Sequence, residues 1–111
     1  MQALGLRLLN SEAGRAMIEM QVQPHHLNAT GVVHGGVLFT LADSAFAIAA
    51  NNEGQVRWAA HAAIEFLRPG RAGQRLRASA TRVAPGLYDI EIEDDAGQTV
   101  ALMRGRASRA P

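Results

Sequence analysis

One stretch of this chain, residues 36–51, predicts a helix that is apolar on almost every side. Leu38, Leu41, Ala45 and Ile48 recur at intervals of three and four residues, which is the spacing of one helix face. Alanine and phenylalanine occupy most of the remaining positions. A helix that is apolar nearly all round is buried on most of its sides. The rest of the chain therefore has to wrap around this helix.

Alternating segments before the helix predict that its cover is a sheet. Residues 16–22 alternate between apolar and polar side chains, which is the period of a half-buried strand. Residues 4–9 are the predicted hairpin partner, across a turn at 10–14. Pro24 ends the second strand, and residues 25–34 are predicted to form a loop.

Four more strands are predicted after the helix. A long alternation covers residues 56–66 and is ended by residues 68–70. Turn residues then separate three further strands, at 74–84, 87–93 and 98–107. The first alternation places one set of side chains on a single face: Val56, Trp58, Ala60, Ala62, Ile64 and Phe66.

The order of two strands, one helix and four strands indicates an α+β fold, in which a curved antiparallel sheet wraps around one long central helix. The chain has 111 residues and is 48% hydrophobic, which excludes a disordered chain and suits a single domain over residues 1–111. A sheet in so small a protein has exposed edges, and pairing with a second copy removes them. We therefore expect a homo-oligomer.

Composition excludes several classes of function. The chain has no cysteine, so a disulfide framework, a thiolate nucleophile and a cysteine-based zinc site are not available. No charged and apolar leader opens the chain and no apolar run has the length of a membrane span, so a soluble cytoplasmic protein is expected, with no membrane partner. The net charge of +1 gives no reason to expect a nucleic-acid partner.

The basic residues are nevertheless unevenly distributed. All eleven are arginine, and six of them lie between residues 57 and 82. Arginine matches a phosphate group with two parallel hydrogen bonds. Solvated strand faces in a protein from a GC-rich genome explain each of them equally well. The six are Arg57, Arg68, Arg71, Arg75, Arg77 and Arg82.

The predicted helix carries a single acidic residue, Asp43, and no other acid lies between Glu19 and Glu53. Together with Thr40 and Ser44 it forms a small polar window on an apolar helix. An ionised carboxylate in an apolar setting is costly unless it is paired, hydrogen-bonded or used. The pattern favours a functional site or a subunit interface over a solvated helix face.

The sequence His34-Gly35-Gly36 stands at the start of this helix. Unpaired backbone N–H groups and the positive end of the helix dipole point outward there, and glycine lets a ligand approach them closely. Two uses follow, a cradle for phosphate or an oxyanion hole for a carbonyl under attack. Two glycines alone are more typical of a flexible turn. The acid downstream favours a functional role for this turn instead.

Taken together, these motifs resemble the phenylacetic acid degradation thioesterases of the hotdog superfamily. The resemblance covers nearly the whole chain, and its motifs are specific in combination because they recur together at fixed spacing. It implies a hotdog fold, dimers that pair into tetramers, and hydrolysis of acyl-coenzyme A (acyl-CoA) thioesters. One departure is a short N-terminus, which bears on closure of the substrate pocket. The motifs are residues 28–36, Leu41-Ala42-Asp43-Ser44-Ala45, Phe66-Leu67-Arg68-Pro69-Gly70 and Thr99-Val100-Ala101-Leu102.

The resemblance also assigns roles to individual residues. Asp43 would be the catalytic carboxylate and the Gly35 N–H group the oxyanion donor, while Asn28 and His34 would orient the thioester or a water molecule. No cofactor is implied beyond the CoA of the substrate itself. Contacts with the substrate and its CoA are expected from four more residues: Gly36, Arg68, Pro69 and Arg71.

The residues themselves suggest the same chemistry. An ordinary aspartate is ionised at neutral pH, so Asp43 can act as a general base on water or attack the thioester carbonyl directly, and the sequence leaves both routes open. The Gly35 N–H group would stabilise the oxyanion. No metal site is predicted, because the adjacent His25 and His26 and the later His34 have no recognised ligand spacing.

Spacing along the helix predicts that the site is shared between subunits. Gly35 and Asp43 are eight residues apart, which separates them by roughly 12 Å along the helix axis. Groups that act on one carbonyl should each lie about 3 Å from the reacting atoms. If both residues act, they come from different subunits of a two-fold dimer.

Three other functions fit parts of this pattern. A non-catalytic acyl-CoA sensor would share the contact at the helix start but has no use for a carboxylate aimed at the carbonyl. A hotdog hydratase or dehydratase would need a histidine paired with an acid, a role that is open to His34. A purely structural oligomer would tolerate Asp43→Asn.

The acyl group is not specified by the residues. The resemblance points to hydroxylated phenylacetyl-CoA, with other aryl or medium-chain thioesters open. Phe39, Phe46 and Trp58 are expected to belong to the core rather than to line an aromatic pocket.

Overall fold

The computed structural model describes residues 4–109, and within them the strands and the long helix follow each other in the predicted order. A turn of 3₁₀ helix lies in the predicted loop. The bounds are β1 Leu6–Glu12, β2 Arg15–Gln21, the 3₁₀ turn Pro24–His26, α1 Gly35–Asn51, β3 Arg57–Phe66, β4 Arg75–Ala84, β5 Leu87–Glu93 and β6 Thr99–Arg109.

The six strands form one antiparallel sheet in the order β1-β2-β4-β5-β6-β3. β3 follows the helix in the chain but pairs with β6 at the far edge of the sheet, so α1 contacts strands from both halves of the chain. The prediction of an α+β fold with a curved antiparallel sheet around one long central helix is confirmed.

The helix supplies the centre of the core. Leu41, Ala45 and Ala49 are completely buried, together with the inward residues of the strands. β6 approaches the helix so closely that a Cβ atom at Gly105 would lie 2.6 Å from the Phe46 ring. Phe46 also packs against Tyr88, with the ring centroids 5.5 Å apart. These contacts fix the part of α1 that follows residue 43.

The observed bounds agree with the predicted ones within two residues, except at the end of β1. β1 continues to Glu12 and the turn shrinks to Ala13 and Gly14, where Gly14 has a φ of 72°. Almost every residue of β1 is exposed, so its side chains have no alternation that marks its end. The helix begins at Gly35, one residue before the predicted start.

β3 contradicts the prediction of a single apolar face. A register shift between Ala59 and His61 forms a bulge against β6, and Ala59, rather than Trp58 or Ala60, lies opposite the buried Ala107. Residues directly opposite in an antiparallel pair share a face of the sheet. One extra residue therefore moves the side chains before it to the other face. Beyond the bulge the predicted inward face is correct.

Both edges of the sheet are open among the described residues. Seven of the ten residues of β3 and six of the seven residues of β1 are exposed. β3 pairs only with β6 and β1 only with β2, so each has one side whose backbone groups are available to another strand.

Candidate active site

Asp43 lies in the third turn of α1 and is half-buried. Its carboxylate has no hydrogen bond and no ion pair with any described residue. Burial raises the pKa of Asp43 above its ordinary value, since desolvation disfavours the ionised form. A raised pKa brings a carboxylate closer to the range in which a general base works best at neutral pH.

Asp94, in the turn between β5 and β6, is a buried acid with a structural role. Its Oδ1 accepts the backbone N–H groups of Ala96 and Gln98 at 3.0 and 2.9 Å, and its Oδ2 lies 3.4 Å from the Gln74 amide nitrogen. Asp43 has no comparable partners. Because an unpaired, partly desolvated carboxylate is costly, Asp43 is a candidate functional residue.

The polar window predicted around Asp43 is only partly present. The hydroxyl groups of Thr40 and Ser44 donate to the carbonyl oxygens of Gly36 and Thr40, at 2.8 and 2.7 Å. Such bonds satisfy a hydroxyl group within its own helix. Of the three polar residues, Asp43 is the one that lines the cavity between α1 and the start of β3.

That cavity has a volume of about 140 Å³. Its walls come from α1 and from the start of β3, so Asp43 stands between the helix and the open edge strand. The walls combine apolar and polar side chains. They are Asp43, Phe46, Ala47, Ala50, Asn51, Arg57, Trp58 and Ala59.

Asn51, at the end of α1, fixes the helix to β3. Its Nδ2 donates to the carbonyl oxygens of Ala47 and Arg57 at 2.9 and 3.1 Å, and its Oδ1 accepts the Arg57 N–H at 2.8 Å. The side chain thus pairs with the backbone of Arg57 as a neighbouring strand would. This role was not predicted, and an asparagine at a helix end shortly before a strand is the signal that points to it.

The other end of α1 presents the predicted donors. His34 is the N-cap residue, and its carbonyl oxygen accepts N–H groups of the first helical turn. The N–H groups of Gly35 and Gly36 have no acceptor among the described residues, as is usual at a helix start. The His34 N–H donates to the His26 carbonyl at 2.9 Å, which anchors the turn while both glycines stay exposed.

Asn28 organises the loop that leads to this turn. Its Oδ1 accepts hydrogen bonds from the N–H and hydroxyl groups of Thr30, at 2.9 and 2.7 Å, and from the Val32 N–H at 3.3 Å. The amide NH₂ is therefore the group of Asn28 that is left to face a ligand. Asn28 is better placed to donate to a thioester oxygen than to accept a proton from water.

A second cavity, of about 340 Å³, lies next to the helix start. It brings together four residues with predicted roles, Asn28, Gly35, Arg68 and Pro69, beside the unpredicted Phe66 and Leu67. The other three predicted residues of this region, His34, Gly36 and Arg71, are exposed and are not among the residues that line it.

Asp43 and Gly35 thus face different cavities of one protomer. The unbroken helix between them spans eight residues, or roughly 12 Å at the rise of an α-helix. One protomer therefore does not bring the acid and the proposed oxyanion donor to the same carbonyl group. If both act in one reaction, the second residue has to come from another subunit.

A larger cavity, of about 550 Å³, lies on the outer face of the sheet. It is bordered by the ion pair in which the Arg104 guanidinium donates to Asp89 at 2.7 and 2.8 Å. None of the predicted site residues lines it. We assign the candidate site to the two smaller cavities, because the unpaired carboxylate and the unpaired N–H groups are there.

Neither a membrane-spanning helix nor a metal-binding cluster is found in the described part of the chain. Its helices do not combine the length and the apolar character that crossing a membrane requires. Within residues 4–109, no group of three histidine, aspartate or glutamate side chains is placed to hold a metal ion.

His26, in the 3₁₀ turn, was predicted only as a loop residue but is buried. Its Nδ1 accepts the Gln23 N–H at 2.9 Å, so the neutral ring carries its hydrogen on Nε2. Nε2 is buried and has no hydrogen-bond partner of normal geometry among the described residues. Burial lowers the pKa of His26 and the neighbouring His25 lowers it further, while the Leu4 backbone acts in the opposite direction.

We expect His26 to make the free energy of unfolding decrease as the pH drops from about 7 to 5. The unfolded chain binds a proton at an ordinary histidine near pH 6.5, whereas the folded chain resists protonation, so acid favours the unfolded state. Urea denaturation at several pH values measures this effect. His26→Asn should be less stable at pH 7 but have a flatter pH dependence, and the exposed His61→Asn should keep the wild-type slope. Identical slopes for wild type and His26→Asn would contradict the assignment.

The three aromatic residues expected in the core have different environments. Phe46 is buried, as predicted, although it also borders the cavity beside Asp43. Phe39 and Trp58 are 37% and 51% exposed, so the core prediction is wrong for both. Trp58 stands on the open edge strand, where it lines the cavity beside Asp43 together with Phe46. Phe39 lies on the helix side that also exposes Gly36. The surface around the two cavities is therefore apolar as well as open.

Comparison with known proteins identifies the family. The sequence profile of the thioesterase superfamily matches residues 30–84. The chain is 43% identical over 112 residues to the acyl-coenzyme A thioesterase PaaI of Escherichia coli (strain K12), an alignment that covers 97% of this chain and 80% of that protein.

Solved structures agree with this relationship. The PaaI protein from the phenylacetic acid degradation operon of E. coli superimposes with a TM-score of 0.96 and 42% identity, covering 99% of this chain and 83% of that one. The TT0310 protein of Thermus thermophilus superimposes with a TM-score of 0.94 and 38% identity, covering 99% and 96% of the two chains. On sequence and fold together, the chain belongs to the thioesterase superfamily and has its hotdog fold.

Proposed function

We propose that the protein hydrolyses acyl-CoA thioesters to the free acid and CoA in the cytoplasm, with aryl-CoA thioesters such as hydroxyphenylacetyl-CoA as substrates. The observation that carries the proposal is the unpaired, half-buried carboxylate of Asp43 on a helix whose first N–H groups are also unpaired. The 43% identity to an acyl-coenzyme A thioesterase supports the same reaction. The phenylacetic acid degradation operon of that relative supports an aryl group.

The Asp43 carboxylate suits the attack on the thioester carbonyl, and the Gly35 N–H group suits stabilisation of the oxyanion that results. As a general base, Asp43 takes a proton from water while the water oxygen bonds to the thioester carbonyl carbon. As a nucleophile, its own oxygen forms that bond, and water later cleaves the resulting anhydride. In both routes the carbonyl oxygen becomes negative and receives the Gly35 N–H. The C–S bond then breaks, and the CoA thiolate leaves and takes up a proton.

The remaining predicted residues position the substrate in this proposal. The free amide NH₂ of Asn28 donates to the thioester oxygen, and the exposed His34 side chain orients the thioester or the water. Gly36 leaves space for the CoA arm beside the helix start, and Pro69 forms part of the cavity wall there. Neither a metal nor a cofactor beyond the CoA of the substrate is required.

The active unit in this proposal is a homodimer. An antiparallel copy of β3 would satisfy the open backbone groups of this exposed edge strand. The exposed side of α1 adjoins β3 at the cavity beside Asp43, and the small Gly36 and Ala47 on it allow a second helix to approach. Antiparallel helices across a two-fold axis would place Gly35 of one copy opposite Asp43 of the other, twice per dimer. Two such dimers would pair into a tetramer.

A thiol-release assay over a panel of aryl-CoA and alkyl-CoA thioesters tests the function. Release of free CoA that depends on Asp43 is the expected result, and it would exclude a sensor. Binding of acyl-CoA without any thiol release would refute the proposal. Turnover of enoyl-CoA without thiol release would favour a hydratase instead, although His34 makes no hydrogen bond with a carboxylate among the described residues.

Arg68→Ala and Arg71→Ala are expected to raise KM for CoA thioesters more than they lower kcat, with the larger effect at low salt. Arg68 lines the cavity at the helix start, and its Nη1 donates to the Thr99 carbonyl at 2.7 Å, which leaves other N–H groups for a phosphate. We expect roughly a fivefold change for Arg68, the size of one lost hydrogen bond. Steady-state kinetics at two salt concentrations measure it.

The control for this prediction is Arg106→Ala, which removes an exposed arginine on β6 that is not among the residues lining the cavity. Its KM should match that of the wild type at both salt concentrations. An unchanged KM for both Arg68→Ala and Arg71→Ala would leave these arginines as ordinary residues of a solvated surface.

A further inference from the structure

We propose that Asn51 is a positioning residue of the shared site, which satisfies the backbone of Arg57 at the start of β3 so that a second copy of this chain can cover this edge strand beside Asp43. The inference rests on the homodimer of the proposed function. The end of α1 and the start of β3 both border the cavity beside Asp43, so a partner that covers one covers the other. Asn51 joins these two elements through its side chain.

The Asn51 amide bonds to Arg57 as one residue of a paired strand bonds to another. Its Oδ1 accepts the Arg57 N–H at 2.8 Å, and its Nδ2 donates to the Arg57 carbonyl oxygen at 3.1 Å. In an antiparallel sheet, the N–H and C=O groups of one residue point to the same side of the strand. The two Arg57 groups therefore point away from β6, toward the open edge of β3.

The same amide is also bonded to the helix. Its Nδ2 donates to the Ala47 carbonyl oxygen at 2.9 Å. Ala47 lies one helical turn after Asp43, and Asn51 lies one turn after Ala47, so the three residues follow each other along one side of α1. The side of the helix that carries Asp43 is thus fixed to the strand at which the second copy is expected to pair.

The bonds of Asn51 contribute most when a second copy covers them. Asn51, Ala47 and Trp58 are exposed in the protomer. While this edge is open to water, solvent can satisfy the Arg57 N–H and C=O groups at little net cost. Once a partner excludes water, the same groups without Asn51 would be buried and unsatisfied, which costs more. Loss of the Asn51 side chain should therefore weaken association more than it destabilises the protomer.

Asn52, the next residue, is a matched control. Its Oδ1 accepts the Gly14 N–H at 2.9 Å, and its Nδ2 donates to the carbonyl oxygens of Glu12 and Arg15 at 2.5 and 2.9 Å. These bonds fix the end of α1 to the hairpin of β1 and β2, and β1 lies at the opposite edge of the sheet from β3. Asn52 is half-buried within the protomer, so its bonds stabilise the fold whether or not a second copy is bound.

The test compares Asn51→Ala with Asn52→Ala. Sedimentation measures dissociation into protomers, thermal melting measures stability, and thiol release measures kcat at protein concentrations well above the dissociation constant. We expect Asn51→Ala to weaken association by at least about tenfold, the effect of one or two unsatisfied groups, and to lower kcat by roughly tenfold through displacement of Asp43. Asn52→Ala should melt at a lower temperature, with a dissociation constant and a kcat within about threefold of the wild-type values.

Wild-type association or wild-type kcat in folded Asn51→Ala would overturn the inference, as would a wild type that is monomeric. Equal weakening of association by the two variants would also overturn it, since the effect would then follow from any loss of order at the helix end. If the wild type releases no thiol from any thioester, the proposed function fails, while sedimentation still tests the role of Asn51 in association.

Asn51→Asp provides a second variant if Asn51→Ala does not fold. Aspartate keeps an acceptor for the Arg57 N–H but has no donor for the carbonyl oxygens of Ala47 and Arg57. Association should be weakened in the same direction, and wild-type association of this variant would overturn the inference.

Discussion

Asp43→Asn is expected to abolish nearly all thioester hydrolysis, lowering kcat/KM by roughly a hundredfold to ten-thousandfold. The amide has nearly the shape of the carboxylate but can neither accept a proton from water nor attack a carbonyl carbon. Because the Asp43 carboxylate has no partner among the described residues, its replacement breaks no contact of the protomer. The loss should therefore be in turnover rather than in folding or assembly. Turnover within about tenfold of the wild type would mean that Asp43 is not the catalytic acid.

The same substitution should leave the protein at least as stable as the wild type at neutral pH. Burial raises the pKa of Asp43 in the folded state, so the folded chain binds this proton more tightly than the unfolded chain. The free energy of unfolding therefore decreases as the pH rises through the two pKa values, and this cost in stability persists at neutral pH. Asn carries no charge and removes that cost. Thermal melting at pH 7 measures the difference.

Asp94→Asn is the matched control for both measurements. Its Oδ1 accepts two backbone N–H groups in a turn, and its Oδ2 lies 3.4 Å from the Gln74 amide nitrogen. Asparagine keeps the first oxygen but places an NH₂ group opposite the Gln74 NH₂ group, so the replacement should lower the melting temperature. Since Asp94 lines neither candidate cavity, the folded variant should keep its thioesterase activity. A chain in which position 43 controls stability and position 94 controls turnover would contradict both assignments.

The order of elements in this fold follows from local patterns. The helix is found within one residue because a continuous apolar stretch begins directly after two glycines, and the inward residues of β2 alternate without interruption. β1 is less predictable, since an exposed edge strand has no buried face to set a period. The bulge at Ala60 leaves the alternation of β3 intact in the sequence, and only pairing with β6 reveals it.

The candidate site was predictable where a single residue differs in polarity or in backbone hydrogen bonding from its neighbours. Asp43 is the one acid in an apolar helix, and Gly35 stands where helix geometry leaves an N–H group unpaired. Asn51 and His26 were missed because their roles depend on tertiary contacts. One pairs with the backbone of β3 and the other is enclosed by the turn before the helix. Neither contact leaves a periodic signal.

The spacing of Gly35 and Asp43 leads to the second large effect, which is recovery of activity by mixing two inactive variants. Gly35→Pro removes the proposed N–H donor. Proline is tolerated in the first helical turn, and the preceding His34 has a ψ of 136°, the extended conformation that a residue before proline requires. The Gly35 N–H makes no bond within the described protomer, so its loss should affect the reaction rather than the fold. We expect kcat to fall by roughly a hundredfold or more.

Gly35→Ala is the control for this variant. It keeps the N–H group and adds a Cβ atom that would lie 3.4 Å from the Phe66 ring, an ordinary contact. Its activity should stay within about tenfold of the wild type. A loss as large as that of Gly35→Pro would assign the effect to crowding at this position and would remove the evidence for an oxyanion donor.

In a heterodimer of Gly35→Pro and Asp43→Asn, a site shared across the two-fold axis carries either both substitutions or neither. Random pairing of equal amounts makes half of the dimers mixed, each with one intact site of two, so the mixture should recover roughly a quarter of the wild-type activity. A site built within one protomer would instead keep one substitution in every site of the mixed dimer, and no activity would return. Co-refolding of the two variants, with subunit exchange verified by differently tagged chains, separates these outcomes. If exchange is complete and the mixture is as inactive as its parents, Gly35 and Asp43 do not meet across the dimer axis.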